Sequence, residues 1–197
     1  DAPAVDVLVN DVAVLSSVPF TGVSGFLDPS PAPGTYNLKI VDSATGTFEA
    51  LNINPEFAAG VQYTAVALGL ANDIQVDSKI LEDDNRSVVT EAKIRVLHGA
   101  PSTGNVDIFL TDGPSDINIT GLTPNIEDVP YRDVRGYLGV AEGSYDIRVT
   151  PNGDDQTIAI DKQDIPLVAG CVYTVIARDA QGGVGPLDVI LIDECAD

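Results

Sequence analysis

Short apolar runs interrupted by single polar residues recur along nearly the whole chain. Val5–Val9 reads Val, Asp, Val, Leu, Val. Tyr36–Val41 sets Tyr36, Leu38 and Ile40 on one side of a strand and Asn37 and Lys39 on the other. Tyr145, Ile147 and Val149 repeat that pattern, with Asp146 and Arg148 expected to face outward. Lys93–Leu97 alternates in the same way. Gln62–Leu68 and Val172–Ala177 are more continuously apolar and read as central strands, with Ile74–Leu81 and Leu187–Asp193 as their hairpin partners. Gly, Pro, Asn or Asp bounds almost every run, which is strand punctuation. No long amphipathic helix is visible, and Pro55–Ala59 reads as a short helical turn.

The strand pattern occurs twice. Gly34-Thr35-Tyr36-Asn37-Leu38-Lys39-Ile40-Val41 returns as Gly143-Ser144-Tyr145-Asp146-Ile147-Arg148-Val149-Thr150. Val18–Leu27 matches Val129–Leu138, and Ala59–Ala67 matches Ala169–Ala177, at offsets of 109 to 111 residues. That period is too long for a solenoid and suits two whole domains. The predicted fold class is all-β: two tandem antiparallel β-sandwiches of immunoglobulin- or transthyretin-like kind, at 1–87 and 88–197. The polar stretch Glu82–Ser87 forms the junction.

Composition narrows the function classes. The net charge is −20, divided evenly: residues 1–91 carry 13 acids and 3 bases, residues 92–197 carry 17 acids and 7 bases. An acidic surface over both halves argues against nucleic acid and anionic membrane as partners. It suits solubility, a salt-tolerant exported surface or weak capture of divalent cations. No apolar run is long enough to span a bilayer. The chain opens on Asp1 and contains no Met, so a leader removed upstream is expected.

The two cysteines are Cys171 and Cys195. A hairpin turning through Ala180–Pro186 sets Cys171 opposite Cys195 and Tyr173 opposite Asp193, which favours a disulfide over two buried thiols. Such a bridge implies an oxidising compartment. The first module has no cysteine in its equivalent hairpin.

The segment Arg95-Val96-Leu97-His98-Gly99-Ala100-Pro101, followed by Val106-Asp107-Ile108, carries a family resemblance. With Val134-Arg135-Gly136-Tyr137-Leu138 and Gly143–Val149 it resembles the bacterial and archaeal family called domain of unknown function 4397. Asp1-Ala2-Pro3-Ala4-Val5-Asp6-Val7 is similar to the same opening in the first module, so the resemblance covers nearly all the chain. It implies exported, often lipid-anchored or cell-surface proteins built of β-sandwich repeats. It implies no activity and no catalytic residues.

The modules differ in one place. Lys93–Leu97 and His98 precede the Ala-Pro of the second module, and the first opens at Ala2-Pro3 without that strand. Either the strand is lost from the first module by processing or truncation, or another chain supplies it. Supply by another chain predicts an open assembly edge at Val5, Val7 and Val9.

Chemistry-bearing clusters are few. His98 is the single histidine, too few for a triad or a multi-histidine metal site in one chain, and its place at a strand exit suits hydrogen bonding to the turn. Loop carboxylates gather at Asp112 and Asp116 and at Asp154 and Asp155, and these are weak calcium candidates without an EF-hand pattern. Aromatics at matched positions (Phe20 and Tyr131, Phe26 and Tyr137, Tyr36 and Tyr145, Tyr63 and Tyr173) are expected in the core.

The expectation is therefore a non-enzymatic extracytoplasmic structural or cell-surface protein, a subunit of a fibre assembled by strand complementation. No cofactor is expected beyond weak calcium. The expected partners are further copies of itself or another surface protein, with a lipid anchor upstream as a further possibility. The alternative is a surface module that binds carbohydrate, peptide or calcium.

Overall fold

The computed structural model describes residues 3–27, 32–46, 49–69, 76–113, 118–181 and 185–195. The chain is all-β and divides into two compact units, Asp1–Asp84 and Asn85–Asp197.

The second unit shows the complete pattern. Its strands are β9 (Ala92–Gly99), β10 (Val106–Asp112), β11 (Ile126–Val129), β12 (Val134–Val140), β13 (Gly143–Pro151), β14 (Ile160–Leu167), β15 (Cys171–Arg178) and β16 (Asp188–Cys195). One sheet has the order β11-β10-β13-β14 and the other β12-β9-β15-β16. Ile94, Val96, Tyr173 and Val175 of the second sheet share a core with Val106, Ile108, Ile147 and Val149 of the first. Every pairing is antiparallel except one: β9 runs parallel to β15, with Tyr173 opposite Ile94 and Val175 opposite Val96. Strand β9 is buried on both faces along its whole length.

Asp146 and Arg148 do not reach solvent as the alternation predicts; each is about 2% exposed. They do point away from the Tyr145, Ile147 and Val149 face, but β13 is an inner strand flanked by β10 and β14. Arg148 reaches Asp146 at 2.9 Å, Asp161 at 3.2 Å and the Thr111 hydroxyl at 3.0 Å. Asp146 also accepts the Asp164 N–H at 2.9 Å. The buried charges are thus paired and hydrogen-bonded, as burial requires. Residues 118–125 fold back beside this sheet: the Asn125 side chain accepts the Leu110 N–H, and Gly121 donates to Asp155.

The first unit contains β1 (Val5–Val9), β2 (Val12–Val18), β3 (Gly34–Thr35), β4 (Leu38–Asp42), β5 (Glu49–Ile53), β6 (Glu56–Phe57), β7 (Gln62–Leu68) and β8 (Asp77–Asp83). The order β2-β1-β4-β5 reproduces the β11-β10-β13-β14 sheet strand for strand. Pro55–Ala59 is not a helical turn. It holds β6, which pairs with β3, while Tyr36 donates its N–H to the Pro55 carbonyl.

The duplication preserves local devices as well as strands. Asp6 of β1 and Asp107 of β10 each accept a backbone N–H at 2.8 Å, from Ser17 and Asp128 respectively. Ser17 and Asp128 hold matching positive φ values of 53° and 51°, next to register shifts in their pairings with β1 and β10. The carboxylate compensates a backbone group that the bulge removes from the ladder.

Candidate functional site

The units diverge in their second sheet. In the second unit β15 lies between β9 and β16. In the first unit its counterpart β7 pairs with β8 in a two-stranded sheet, and no other described strand joins it. The counterpart of β12, residues 23–27, is described but forms no strand. Strand β12 owes its ladder to β9, its single neighbour in the sheet. Where no β9 is present, the ladder that would fix residues 23–27 is absent as well.

Exposure follows from this gap. Strand β15 is buried from Cys171 to Ala177, whereas Ala65 and Ala67 of β7 are exposed. Val23 is 52% and Phe26 54% exposed, and Leu27 is also exposed. Among the described residues of the first unit, only Leu68 and Leu81 are buried apolar side chains. The expectation of aromatic core positions therefore fails at Phe26, while Tyr145 and Tyr173 are buried. The rings of Tyr36, Phe57 and Tyr63 pack in series, tilted to one another, with centroids 5.9 and 4.8 Å apart.

The gap is not where the sequence placed it. Val5, Val7 and Val9 do not form an open edge: β1 lies between β2 and β4, with Val7 opposite Leu15 on one side and Ile40 on the other. The physical reason lies in the crossover. The strand preceding β10 in sequence does not pair with β10; it crosses to the other sheet and lies against β15. Strands consecutive in sequence are neighbours only about two-thirds of the time. The alignment of Gly25 and Phe26 with Gly136 and Tyr137 is the sequence signal that points to this place.

Gly136 shows what the gap accommodates. It has φ +109°, and a Cβ built there would lie 2.6 Å from the Ile94 carbonyl oxygen of β9. Only glycine lets β9 pass that close. At Gly25, by contrast, a Cβ would meet no atom within 4 Å. The glycine is present in both units, and in the first no described residue approaches it as β9 approaches Gly136. In the second unit Tyr137 lies under two bases of β9, Lys93 at 4.6 Å and Arg95 at 5.4 Å from the ring centroid.

The remaining candidate residues do not converge. Cys171 and Cys195 form the disulfide, opposite one another in the β15–β16 ladder. They and Asp193 form the only cluster of potential metal ligands among the described residues, and the bridge withholds both sulfurs from such a role. Asp154 accepts the N–H groups of Gln156 and Thr157, and the Thr157 side chain and Gln156 backbone hold its pKa below the ordinary value. Asp155 is likewise lowered, first by the Gly121 N–H at 2.6 Å and then by the Gln156 side chain. Both carboxylates already accept backbone N–H groups, Asp154 within its own turn and Asp155 from Gly121. Asp112 ends β10 opposite Tyr145, and Asp116 lies outside the described residues. His98 is fully buried. Its Nε2 lies 3.0 Å from the Gly104 carbonyl oxygen, and its Nδ1 accepts the Ala100 N–H at 3.4 Å. Burial lowers its pKa, against smaller opposing effects of the Gly104 carbonyl and Asp179.

An all-β chain with a disulfide, a repeated sheet and one half-filled sheet is the class of protein these observations define. The family model described as Domain of unknown function (DUF4397) matches residues 1–109, more than half of the chain, and the chain belongs to that family. The match covers the first unit, all of β9 and part of β10. No curated protein matches the chain. No helix is long and apolar enough to cross a membrane among the described residues.

Proposed function

We propose that this chain is a non-enzymatic structural subunit of an extracytoplasmic surface, joined to its neighbours by β-strand complementation into a fibre. One observation carries the reading: among the described residues β7 has a strand partner on one side only, where the homologous β15 has two. A sheet edge of that kind is a template for strand addition, because its backbone groups pair with any extended segment that presents matching donors and acceptors. A heterologous contact between slot and donor extends into a filament where its rotation does not close into a ring. The Cys171–Cys195 bridge supports an oxidising, exported setting. The burial of His98 in its own turn supports a structural role for the single histidine. Size-exclusion chromatography and negative-stain electron microscopy of the native protein test the proposal. Filaments with a repeating subunit are expected; a strictly monomeric native protein at high concentration would overturn it.

A further inference from the structure

We propose that Asn152 is a modification site: the Asn152–Gly153 pair is where this chain deamidates spontaneously, and the carboxylates of Asp107 and Asp128 hold that reaction back while the second unit is folded. The site is independent of the assembly reading above.

The pair is chemically distinct. It is the only Asn-Gly step in the chain. Glycine has no Cβ to shield its own amide nitrogen, and its backbone turns freely into a ring-closing conformation. The reaction needs no reagent but water. The Gly153 nitrogen loses its proton and attacks Asn152 Cγ; a C–N bond forms, and Nδ2 takes up a proton and leaves as ammonia. Water then opens the cyclic imide at either carbonyl, which leaves aspartate or isoaspartate at 152. Asn152 and Gly153 are both exposed, so water reaches them.

The fold holds both reacting groups. Asn152 and Gly153 are the central residues of a turn closed by the Asp154 N–H on the Pro151 carbonyl at 3.0 Å, with Gly153 at φ +76°. The Gly153 N–H donates to Asp107 Oδ2 at 2.8 Å. Asp107 is 5% exposed, and its other oxygen accepts the Asp128 N–H at 2.8 Å, so this acceptor is fixed in place. Taking the proton from an amide that donates to an anion sets two negative charges side by side, which is unfavourable. The Asn152 side chain donates from Nδ2 to Asp128 Oδ1 at 2.8 Å, and Asn105 donates to the same oxygen at 2.6 Å. Ring closure needs the side chain free to rotate into line with the Gly153 nitrogen, and this bond restrains it.

The first unit has the same clamp without the reactive pair. Asp6 accepts the Ser17 N–H at 2.8 Å and the Ser43 hydroxyl. Ser43 stands where Asn152 does, because Asp42 lies opposite Val5 as Pro151 lies opposite Val106. Ser43-Ala44 forms no cyclic imide. The clamp thus belongs to the fold, and the Asn-Gly chemistry belongs to the second unit. An aspartate at 152 would set a second carboxylate against Asp128, and an isoaspartate would insert a methylene into the main chain of the turn. Either product loosens the connection between β13 and β14.

The test incubates the full chain at mildly alkaline pH, folded or in urea. Mass spectrometry then follows the tryptic peptide 149–162, which contains no other Asn. The folded protein converts at least about tenfold more slowly than the unfolded chain, the factor that one hydrogen bond to a charged group carries. Asp128→Gly falls at an exposed position whose φ of 51° suits glycine, so the turn is kept and the Asn152 side chain released. The folded rate then rises by about tenfold on the same ground. Asp107→Asn removes the anion at the Gly153 N–H and also raises the rate in protein that retains its calorimetric transition. Asn152→Gln abolishes the mass gain. Wild-type protein aged until the peptide has converted melts lower in its second unit only. Equal rates in folded and unfolded protein, a rate unmoved by Asp128→Gly, or a mass gain that survives Asn152→Gln overturns the proposal.

Discussion

Opening the Cys171–Cys195 bridge should destabilise the second unit alone. The bridge closes a loop with a sequence separation of 24 residues. Chain-entropy arguments give a loop of that size about 3.5 kcal/mol at 25 °C. The second unit spans 113 residues. At about 2.1 cal/mol/K of unfolding entropy per residue, that loss lowers its Tm by roughly 15 °C. Residual β15–β16 pairing in the unfolded chain brings the figure nearer to about 10 °C, since the reduced chain then has less freedom to gain. Differential scanning calorimetry with and without a phosphine reductant reads the shift, and a Cys171→Ala/Cys195→Ala double variant should reproduce it. The first unit contains no cysteine, so its transition is the internal control. An unmoved second transition, or equal movement of both, would refute the reasoning.

Three further outcomes follow from buried and bonded groups. Arg148→Met strands Asp146 without its cation and should cost the second unit about 3–5 kcal/mol in urea unfolding; adding Asp146→Leu should recover much of that loss, and additive losses would disprove the pairing. His98 has a folded pKa lowered by burial from 6.5, so the unfolded chain binds the proton more tightly. Stability of the second unit is then full above about pH 6.5 and falls as the pH drops toward the lower folded value; His98→Gln should flatten that dependence in melts between pH 5 and 7.5. In the first unit Asp6 has a lowered pKa, chiefly from the Ser43 hydroxyl and then from the Ser17 N–H. Its contribution is present above the ordinary aspartate value of 3.8 and is lost as the pH falls through the lower folded value, so Asp6→Asn should weaken the acid dependence of that unit's melt.

The two units also show why a repeat can be legible and still mislead. The alternation in Tyr36–Val41 and Tyr145–Thr150 located β4 and β13, because period-two patterning is local. The turn between Cys171 and Cys195 located the bridge, because hairpin register follows from counting residues across one turn. Asp146 and Arg148 read as outward from the same pattern, yet β10, β14 and their own ion pairs bury them. Pro55–Ala59 read as helical because two residues of strand carry no periodicity, and only the pairing of β6 with β3 shows what they do.

The sequence by itself determined that the chain is all-β, that it is duplicated, that its cysteines face one another and that one strand lacks a counterpart in the first unit. Each of these depends on neighbours in sequence or on direct comparison of the copies. Tertiary structure decided where that difference matters. Because β9 crosses from the strand it precedes to the opposite sheet, the first unit differs at β7, which among the described strands pairs with β8 alone, and at the exposed Val23 and Phe26, while β1 stays enclosed. Strand pairing is a contact between segments distant in sequence, and alternation along one strand carries no information about which segment lies beside it.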